Sequence, residues 1–454
     1  MESAQRVLIR VLVVLGTLGW ALSQPAFISA ADARYKADLL LIVAHPDDET
    51  AVGGQLAQMI FDGGKRVAVI YCNRGTGGGN NQGKEQAKAM GLMREIEARK
   101  ALAAFGITNS WFLNGRDTPG QDVFRSLQNW NHGAVLEDVV RIVRLTQPEV
   151  ILTWLPQMVA GENHGDHQAS GVIATEAFDL AGDPTVFPVQ VTPAREATDI
   201  DNATDGLEPW QPKKLYFVSD ASKPVTAEGP AFDLRTVSPS RGQSYVRLAA
   251  ELSVQHLTQG DVAHMALESL KSGNFDRYID YHSRFQLIFG KAVVPCSPTG
   301  DVFEGASGPP APFVRPRGFV PEPRSGVSFE LGGAYAFYRK FWPAHGIERI
   351  ARLATVELEV TAGSYLAVPL ELANGTAHEV EITLSATAPR GWEVSGGGVY
   401  RVPANSVLPV QTFARTAGVP TDRPARLLWN AKGTAGPAGE VHLDVTLTEW
   451  SLPQ

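Results

Sequence analysis

Residues 39–50 read Leu-Leu-Leu-Ile-Val-Ala-His-Pro-Asp-Asp-Glu-Thr, and few folds can accommodate such a stretch. Residues 39–44 are an apolar run of the length of a fully buried strand. The run stops abruptly on His45, Pro46, Asp47, Asp48 and Glu49. Three adjacent carboxylates repel one another, and burying any of them unpaired is costly. A divalent cation removes both difficulties by supplying the missing positive charge. His45 and Asp48 are ligand types that suit zinc. Pro46 stops the strand, so these side chains fall in a turn at its C-terminal end, where open α/β sheets place their sites.

Beyond this turn the chain alternates helix-like and strand-like stretches. Residues 49–61 put Leu56, Met59 and Ile60 on one helical face and end on Gly63-Gly64. Residues 66–72 form a Val- and Ile-rich strand pattern. Residues 83–105 are rich in Ala, Met, Leu, Glu and Lys, a strong helix pattern capped by Gly106. Strands are expected at 110–113, 149–154 and 214–218, and helices at 135–145, 168–180, 244–256 and 262–270. Strands alternating with helices imply βαβ units. The expected fold class is therefore α/β, a Rossmann-like, mostly parallel sheet with helices on both faces, over residues 31–292.

From Val356 the texture changes to short alternating runs at 356–360, 366–372, 379–384 and 441–447, separated by turn residues. This pattern predicts a C-terminal all-β, immunoglobulin-like sandwich over 346–454. Residues 293–345 between the two are read as a linker, because 293–326 is rich in Pro and Gly and lacks periodicity. No catalytic cluster lies in the sandwich. Trp392, Tyr400 and Trp429 offer faces for stacking on a sugar, although aromatic residues of such a sandwich are more often core.

At 454 residues the chain has room for two or three domains. A formal net charge of -8, with no Lys/Arg run, argues against nucleic acid or an anionic membrane as partner. Residues 1–30 read as a secretory signal peptide: Arg6 and Arg10, a short apolar stretch at 11–22, then small Ser29, Ala30 and Ala31. The expected location is secreted or periplasmic. After this stretch nothing approaches the roughly 20 apolar residues that a transmembrane helix needs. Cys72 and Cys296 are the two cysteines, too few for a disulfide framework. Pairing is open to them in an exported protein, while Cys72 lies in an apolar run that suits a buried thiol.

Residues 73–81 form a glycine-rich loop, Asn-Arg-Gly-Thr-Gly-Gly-Gly-Asn-Asn. It lacks both the Gly-x-Gly-x-x-Gly spacing before a helix and a Gly-Lys-Ser/Thr ending, so a lid or substrate loop is the better reading than a phosphate cradle. After the 149–154 strand comes a second polar group, Asn163-His164-Gly165-Asp166-His167. In a parallel sheet the two strand ends open on the same edge, so both groups converge on one cleft. A catalytic zinc needs about three protein ligands and an open position for water.

The run Ala44-His45-Pro46-Asp47-Asp48-Glu49, followed by His164-Gly165-Asp166-His167, closely resembles the PIG-L/LmbE-like family of zinc-dependent N-acetylglucosaminyl deacetylases. Arg94-Glu95-Ile96-Glu97 is similar to the family's Arg-x-x-Glu helix, residues 114–117 sit where the family has a sugar-contacting Asp, and 253–259 is similar to a later family helix. The resemblance implies His45, Asp48 and His167 as ligands of Zn2+, and Asp47 as the base that deprotonates water. It implies His164 as oxyanion stabiliser or proton donor, Arg94 and Asp117 as sugar contacts, and Asp166 as the residue orienting a histidine. The chemistry agrees with the residue types: amide hydrolysis needs an acidified water, a base beside it and a donor at the oxyanion. Two histidines and one carboxylate also suit iron or manganese. The expected activity is removal of an N-acetyl group from an N-acetylglucosamine-containing glycan or glycoconjugate outside the cytosol. A zinc hydrolase of a non-sugar amide and a catalytically silent carbohydrate-binding protein are the alternatives.

Overall fold

Strand β1 (Leu39–Val43) is buried along its whole length and pairs in parallel on both sides, with β2 (Val67–Asn73) and β4 (Val150–Trp154). The computed structural model describes residues 33–159, 164–192, 206–321, 324–434 and 436–449; the expected signal segment 1–30 lies outside them, as does Asn163. Strands β3 (Asn109–Gly115) and β5 (Lys214–Val218) extend the sheet in parallel, and β6 (Leu287–Ala292) closes one edge antiparallel. The order is β3-β2-β1-β4-β5-β6. The chain builds outward from β1, then returns to its other side, so strand order reverses between β1 and β4. A crevice opens at the C-terminal ends of strands at such a point.

Side chains of β1 alternate between two cores. Leu40 and Ile42 pack with helices α3 (Val123–Asn129), α4 (His132–Thr146) and α5 (Gly165–Leu180). Leu39, Leu41 and Val43 pack with α1 (Gly53–Ala57), α2 (Ala87–Ala104) and α6 (Tyr245–Ser253) on the other face. Helix α5 lies so close to β4 that a Cβ at Gly171 would meet the Trp154 carbonyl oxygen at 2.3 Å. The region closes with α7 (Asp261–Ser272) and α8 (Asp276–His282) before β6. Among the described residues no helix is long and apolar enough to cross a membrane. Cys72, buried on β2, and Cys296 are both free thiols.

Residues 293–345 depart from the expected linker. Lys213 and Lys214, both buried, donate to the carbonyls of Ala306, Asp301 and Val302 and fix the first part of the stretch. β7 (Val327–Leu331) pairs antiparallel with β9 (Tyr365–Asn374), and α9 (Ala334–His345) follows it. Tyr338, Phe341 and Trp342 of α9 enter the same core as α5. Aromatic contacts hold this helix despite Pro343 in its last turn, whose missing N–H leaves the Arg339 carbonyl without its helical partner.

The C-terminal part is an all-β sandwich. A five-stranded sheet (β12-β10-β14-β15-β8) faces a four-stranded one (β11-β13-β9-β7) across a core that includes Leu370, Leu384, Leu443 and Trp429. Here β8 is Glu357–Thr361, β10 is Val380–Thr387, and β11 is Glu393–Ser395; β12 is Gly398–Val402, and β13 is Ser406–Arg415. β14 is Ala425–Gly433 and β15 is Gly436–Thr448. Trp429 is fully buried in that core and unavailable to a sugar, while Tyr400 turns its hydroxyl to the Gly396 carbonyl.

His282 makes the fold sensitive to acid. It stacks on Tyr278 at 3.9 Å between ring centroids and is 5% exposed. Burial pushes its imidazole down to about 4 from the ordinary 6.5. The unfolded chain protonates this side chain first as pH falls. Its contribution is therefore fully present above about 6.5 and lost progressively towards 4, by up to about 3 kcal/mol. Denaturant unfolding at pH 7.5 and 4.5 is expected to show a smaller acid loss in His282→Gln than in the parent; equal losses would contradict the assignment.

Candidate metal centre

β1 ends at Val43 and Pro46 turns the chain out of the sheet. The N–H groups of Ala44 and His45, freed at the strand end, both donate to Asp48 Oδ2 at 2.9 Å. Trp154, at the end of the neighbouring β4, adds its indole N–H at 2.7 Å. Three donors fix one carboxylate oxygen. The other, Oδ1, faces His167 Nε2 at 3.3 Å and His45 Nδ1 at 3.7 Å. All three residues are buried, and a ligand atom from each lies within 4.8 Å of the others. Two imidazoles and one carboxylate oxygen turned towards one point are a donor set that fits a divalent cation.

A carboxylate stands behind each imidazole. His45 Nε2 lies 3.3 Å from Asp166 Oδ2 and 3.5 Å from Asp117 Oδ1, and His167 Nδ1 lies 3.1 Å from Asp220 Oδ2. Such contacts select the tautomer that leaves the opposite nitrogen free to bind. Asp166 is held in turn by the Asn73 side-chain amide and the Thr118 N–H, each at 3.0 Å. The Trp154 indole stacks on His167 with ring centroids 4.3 Å apart.

The electrostatics favour a cation. Burial works to lower His167, yet Asp48 and Asp220 carry it up to about 10. His45 is likewise held well above its ordinary value against its burial, by Asp117, Asp166 and Asp48. The field that holds protons on these rings would hold a metal ion by the same attraction.

Asp47 lines the adjoining cavity of about 520 Å³ with Arg94, Asp117, His164, Arg284 and Phe285. Burial, then the charge of Asp48, raises its carboxyl to about 7, against the pull of His256, Arg94 and His45. His164 was expected at a strand end; it instead precedes the first turn of α5, so Asp166 and His167 are helical residues. The reason is local: His164 Nδ1 accepts the Asp166 N–H at 3.1 Å and so starts the helix. Burial, with His45 and His167 beside it, holds this imidazole well below its usual value. With Nδ1 accepting, the proton of the neutral ring sits on Nε2.

Arg94 and Asp117 both reach the cavity wall, and both are engaged by the glycine-rich loop. Arg94 donates to the carbonyls of Gly75 at 2.7 Å and Gly79 at 2.8 Å, and the Gly77 N–H donates to Asp117 at 2.7 Å. Gly75 has φ +63°, and a Cβ there would meet Arg94 Nη1 at 2.5 Å, so glycine is required. A loop whose amide points at a carboxylate is no phosphate cradle. On the same helix Glu97 accepts from Thr258 N–H and hydroxyl, and Glu49 and His256 pair at 2.5 Å, both buried. Gln259 donates to the Pro46 carbonyl. The helix carrying Arg94 thus fixes the loop on one side and the 257–259 turn on the other.

Asp220, the partner of His167, escaped the sequence reading. Its signal is position: it lies just past the end of β5, on the edge of the sheet that carries the other acids. Arg284, which rests on the Tyr281 and Phe285 rings at 4.4 and 4.6 Å, also belongs to no pattern.

The sheet and this cluster define an α/β protein with a buried His-Asp-His centre at its switch point. A family profile described as "PIG-L: GlcNAc-PI de-N-acetylase" matches residues 40–178. A 1D-myo-inositol 2-acetamido-2-deoxy-alpha-D-glucopyranoside deacetylase of Rhodococcus erythropolis is 30% identical over 283 residues, covering 56% of this chain and 91% of that protein. A Frankia alni protein described as 1D-myo-inositol 2-acetamido-2-deoxy-alpha-D-glucopyranoside deacetylase 1 is 32% identical over 189 residues, 38% of this chain and 59% of its own length. In that match the chain therefore spans little more than half of the relative. The solved N,N'-diacetylchitobiose deacetylase from Pyrococcus horikoshii aligns with 56% of this chain and 84% of its own at 19% identity, with a TM-score of 0.38, too low to add weight. The chain belongs to the PIG-L family.

Removing the carboxylate behind His167 tests the centre. Asp220→Asn is expected to weaken divalent-metal affinity roughly 10- to 100-fold with little change in Tm. Competition titration with a chromophoric chelator measures it; wild-type affinity in the variant would mean that Asp220 does not support a ligand.

Proposed function

We propose that the chain is a zinc-dependent de-N-acetylase of a substrate carrying a 2-acetamido-2-deoxy-glucopyranosyl unit. The observation that carries this reading is Asp48 Oδ1 facing His45 Nδ1 and His167 Nε2 beside the cavity that Asp47 lines. Family membership and the names of the relatives support the reaction and the sugar.

A zinc ion held by His45, Asp48 and His167 would acidify a water and polarise the amide carbonyl. Asp47, adjacent to a ligand and bordering the cavity, takes the proton of the attacking water. His164, whose Nδ1 accepts the Asp166 N–H, lines the cavity, where its other nitrogen would donate to the oxyanion or to the leaving amine. Asp117 and Arg94 shape the sugar pocket through the glycine-rich loop, and Arg94 acts on the loop as much as on substrate. Export rests on the charge and hydropathy pattern of residues 1–30 and makes an extracytoplasmic glycan or glycoconjugate the proposed substrate class.

Acetate released from N-acetylglucosamine conjugates measures the reaction. Chelation is expected to abolish release and zinc to restore it. Asp47→Asn is expected to lose at least about 100-fold in kcat/KM while still binding metal. Full activity in that variant would remove Asp47 as base. A wild-type chain that binds glycan but no divalent metal, and hydrolyses nothing, would instead identify a binding protein.

A further inference from the structure

Among its described residues the C-terminal sandwich holds no reactive cluster, yet several of its contacts with the α/β part reach the helix and loops that carry the residues of the metal centre. Helix α9 is inserted between two sandwich strands, β7 and β8, and leaves the sandwich to pack along α5, the helix that carries His167. Near the start of α5, the Tyr338 hydroxyl donates to Gln168 Oε1 at 2.8 Å; Tyr338 is 1% exposed and Gln168 is the residue after His167. Near the end of α5, Asp179 accepts from His345 Nδ1 at 2.8 Å and pairs with Lys291 of β6, while Lys291 also reaches the His345 carbonyl at 2.6 Å. One helix of the C-terminal module therefore grips α5 at both ends.

Two further contacts reach the loops around the site. Gln121, four residues after Asp117, receives the N–H of Glu359 from β8 on its side chain at 3.3 Å. Its carbonyl receives the Gln168 side-chain amide at 3.4 Å. The Thr355 N–H, just before β8, donates to the Met158 carbonyl at 3.1 Å, in the segment that leads from β4 towards His164. Gln168 thus joins α9 to the loop whose Thr118 N–H holds Asp166. Burial, then the Asp220 and Asp122 carboxylates, keep the Tyr338 hydroxyl well above its usual value, so it stays a donor.

We propose that Tyr338 is a positioning residue for the metal centre, acting through Gln168 on His167, and that the sandwich module braces the centre through α9. The physical case is geometric. A ligand on the first turn of a helix moves with that turn, and an ion held within 2.0–2.1 Å of imidazole nitrogen tolerates little displacement. A brace at Gln168, next to His167, constrains that turn more than any contact farther along α5. The inference rests on the reading of His45, Asp48 and His167 as ligands.

The test uses the full chain, stripped with chelator. Zinc affinity is read by competition titration, ligand geometry by the visible spectrum of the Co(II)-loaded protein, and stability by Tm. Tyr338→Phe is expected to weaken zinc binding about tenfold and to alter the Co(II) spectrum, with Tm near the parent value. Phe341→Leu, a core change on the same helix without the hydroxyl, is expected to lower Tm and leave metal affinity unchanged. The double variant Tyr338→Phe/Gln168→Ala is expected to bind zinc no more weakly than Gln168→Ala alone, because the two lie on one path. Wild-type affinity in folded Tyr338→Phe, or full additivity in the double variant, overturns the proposal. If Tyr338→Phe does not fold, a folded Gln168→Ala with wild-type affinity overturns it. A parent chain that binds no divalent metal defeats the ligand reading itself, an outcome distinct from a parent that binds and a variant that matches it.

Discussion

The Asp48 carboxylate is the contact on which the rest of the site depends. Its two oxygens have separate tasks. Oδ2 is fixed by two backbone N–H groups at the end of β1 and by the indole of Trp154 at the end of β4. Oδ1 is thereby turned towards both imidazoles. Because its donors come from both strands that flank the switch point, the position of Oδ1 is inherited from the β1–β4 register, Leu39 opposite Val150 through Ile42 opposite Thr153. A slip of one residue would turn Trp154 to the opposite face and remove its donor. The sheet is therefore part of the centre's geometry.

The same arrangement answers the charge problem posed by the 45–49 turn. Acids and imidazoles alternate: Asp220, His167, Asp48, His45, then Asp166 and Asp117. Each ring lies between carboxylates, which raises its affinity for a positive charge and aims its free nitrogen at Asp48. Glu49, a second acid of the turn, faces the other way and is matched by His256. Asp47 is the acid of the turn for which no hydrogen-bond partner is seen among the described side chains, and it borders the open cavity.

Local signals were legible in the sequence and long-range ones were not. β1 and its turn could be read because an apolar run, a proline and three acids are contiguous. His164 and His167 could be read as a group but not placed correctly, since nothing in Gly165-Asp166 distinguishes a strand end from the first turn of a helix capped by His164. Asp220 was invisible because a single acid after a strand has no periodicity; only the pairing of β5 with β4 brings it behind His167. The stretch 293–345 misled because its composition is that of a linker. Its order comes from partners elsewhere: the ammonium groups of Lys213 and Lys214, the exposed edge of β9, and the α5 surface that receives Tyr338 and Trp342. Composition reports what a segment can do alone, and none of these contacts is local.

The distribution of the candidate ligands along the chain would also tie metal binding to folding. His45 and Asp48 belong to one short turn, whereas His167 belongs to a helix that reaches the site only when α5 is docked on β4, at the contact that Gly171 permits. In the unfolded chain the turn offers two donors and the third is remote, so affinity for the ion is a property of the folded state. An ion that binds only that state stabilises it by RT ln(1 + [L]/Kd), about 4 kcal/mol at a thousandfold excess over Kd. That free energy would act at the docking of α5 on β4; α9 contacts the same helix at Gln168 and Asp179. The candidate ligand His167 and the α9 contact at Gln168 are neighbours on the first turn of that helix.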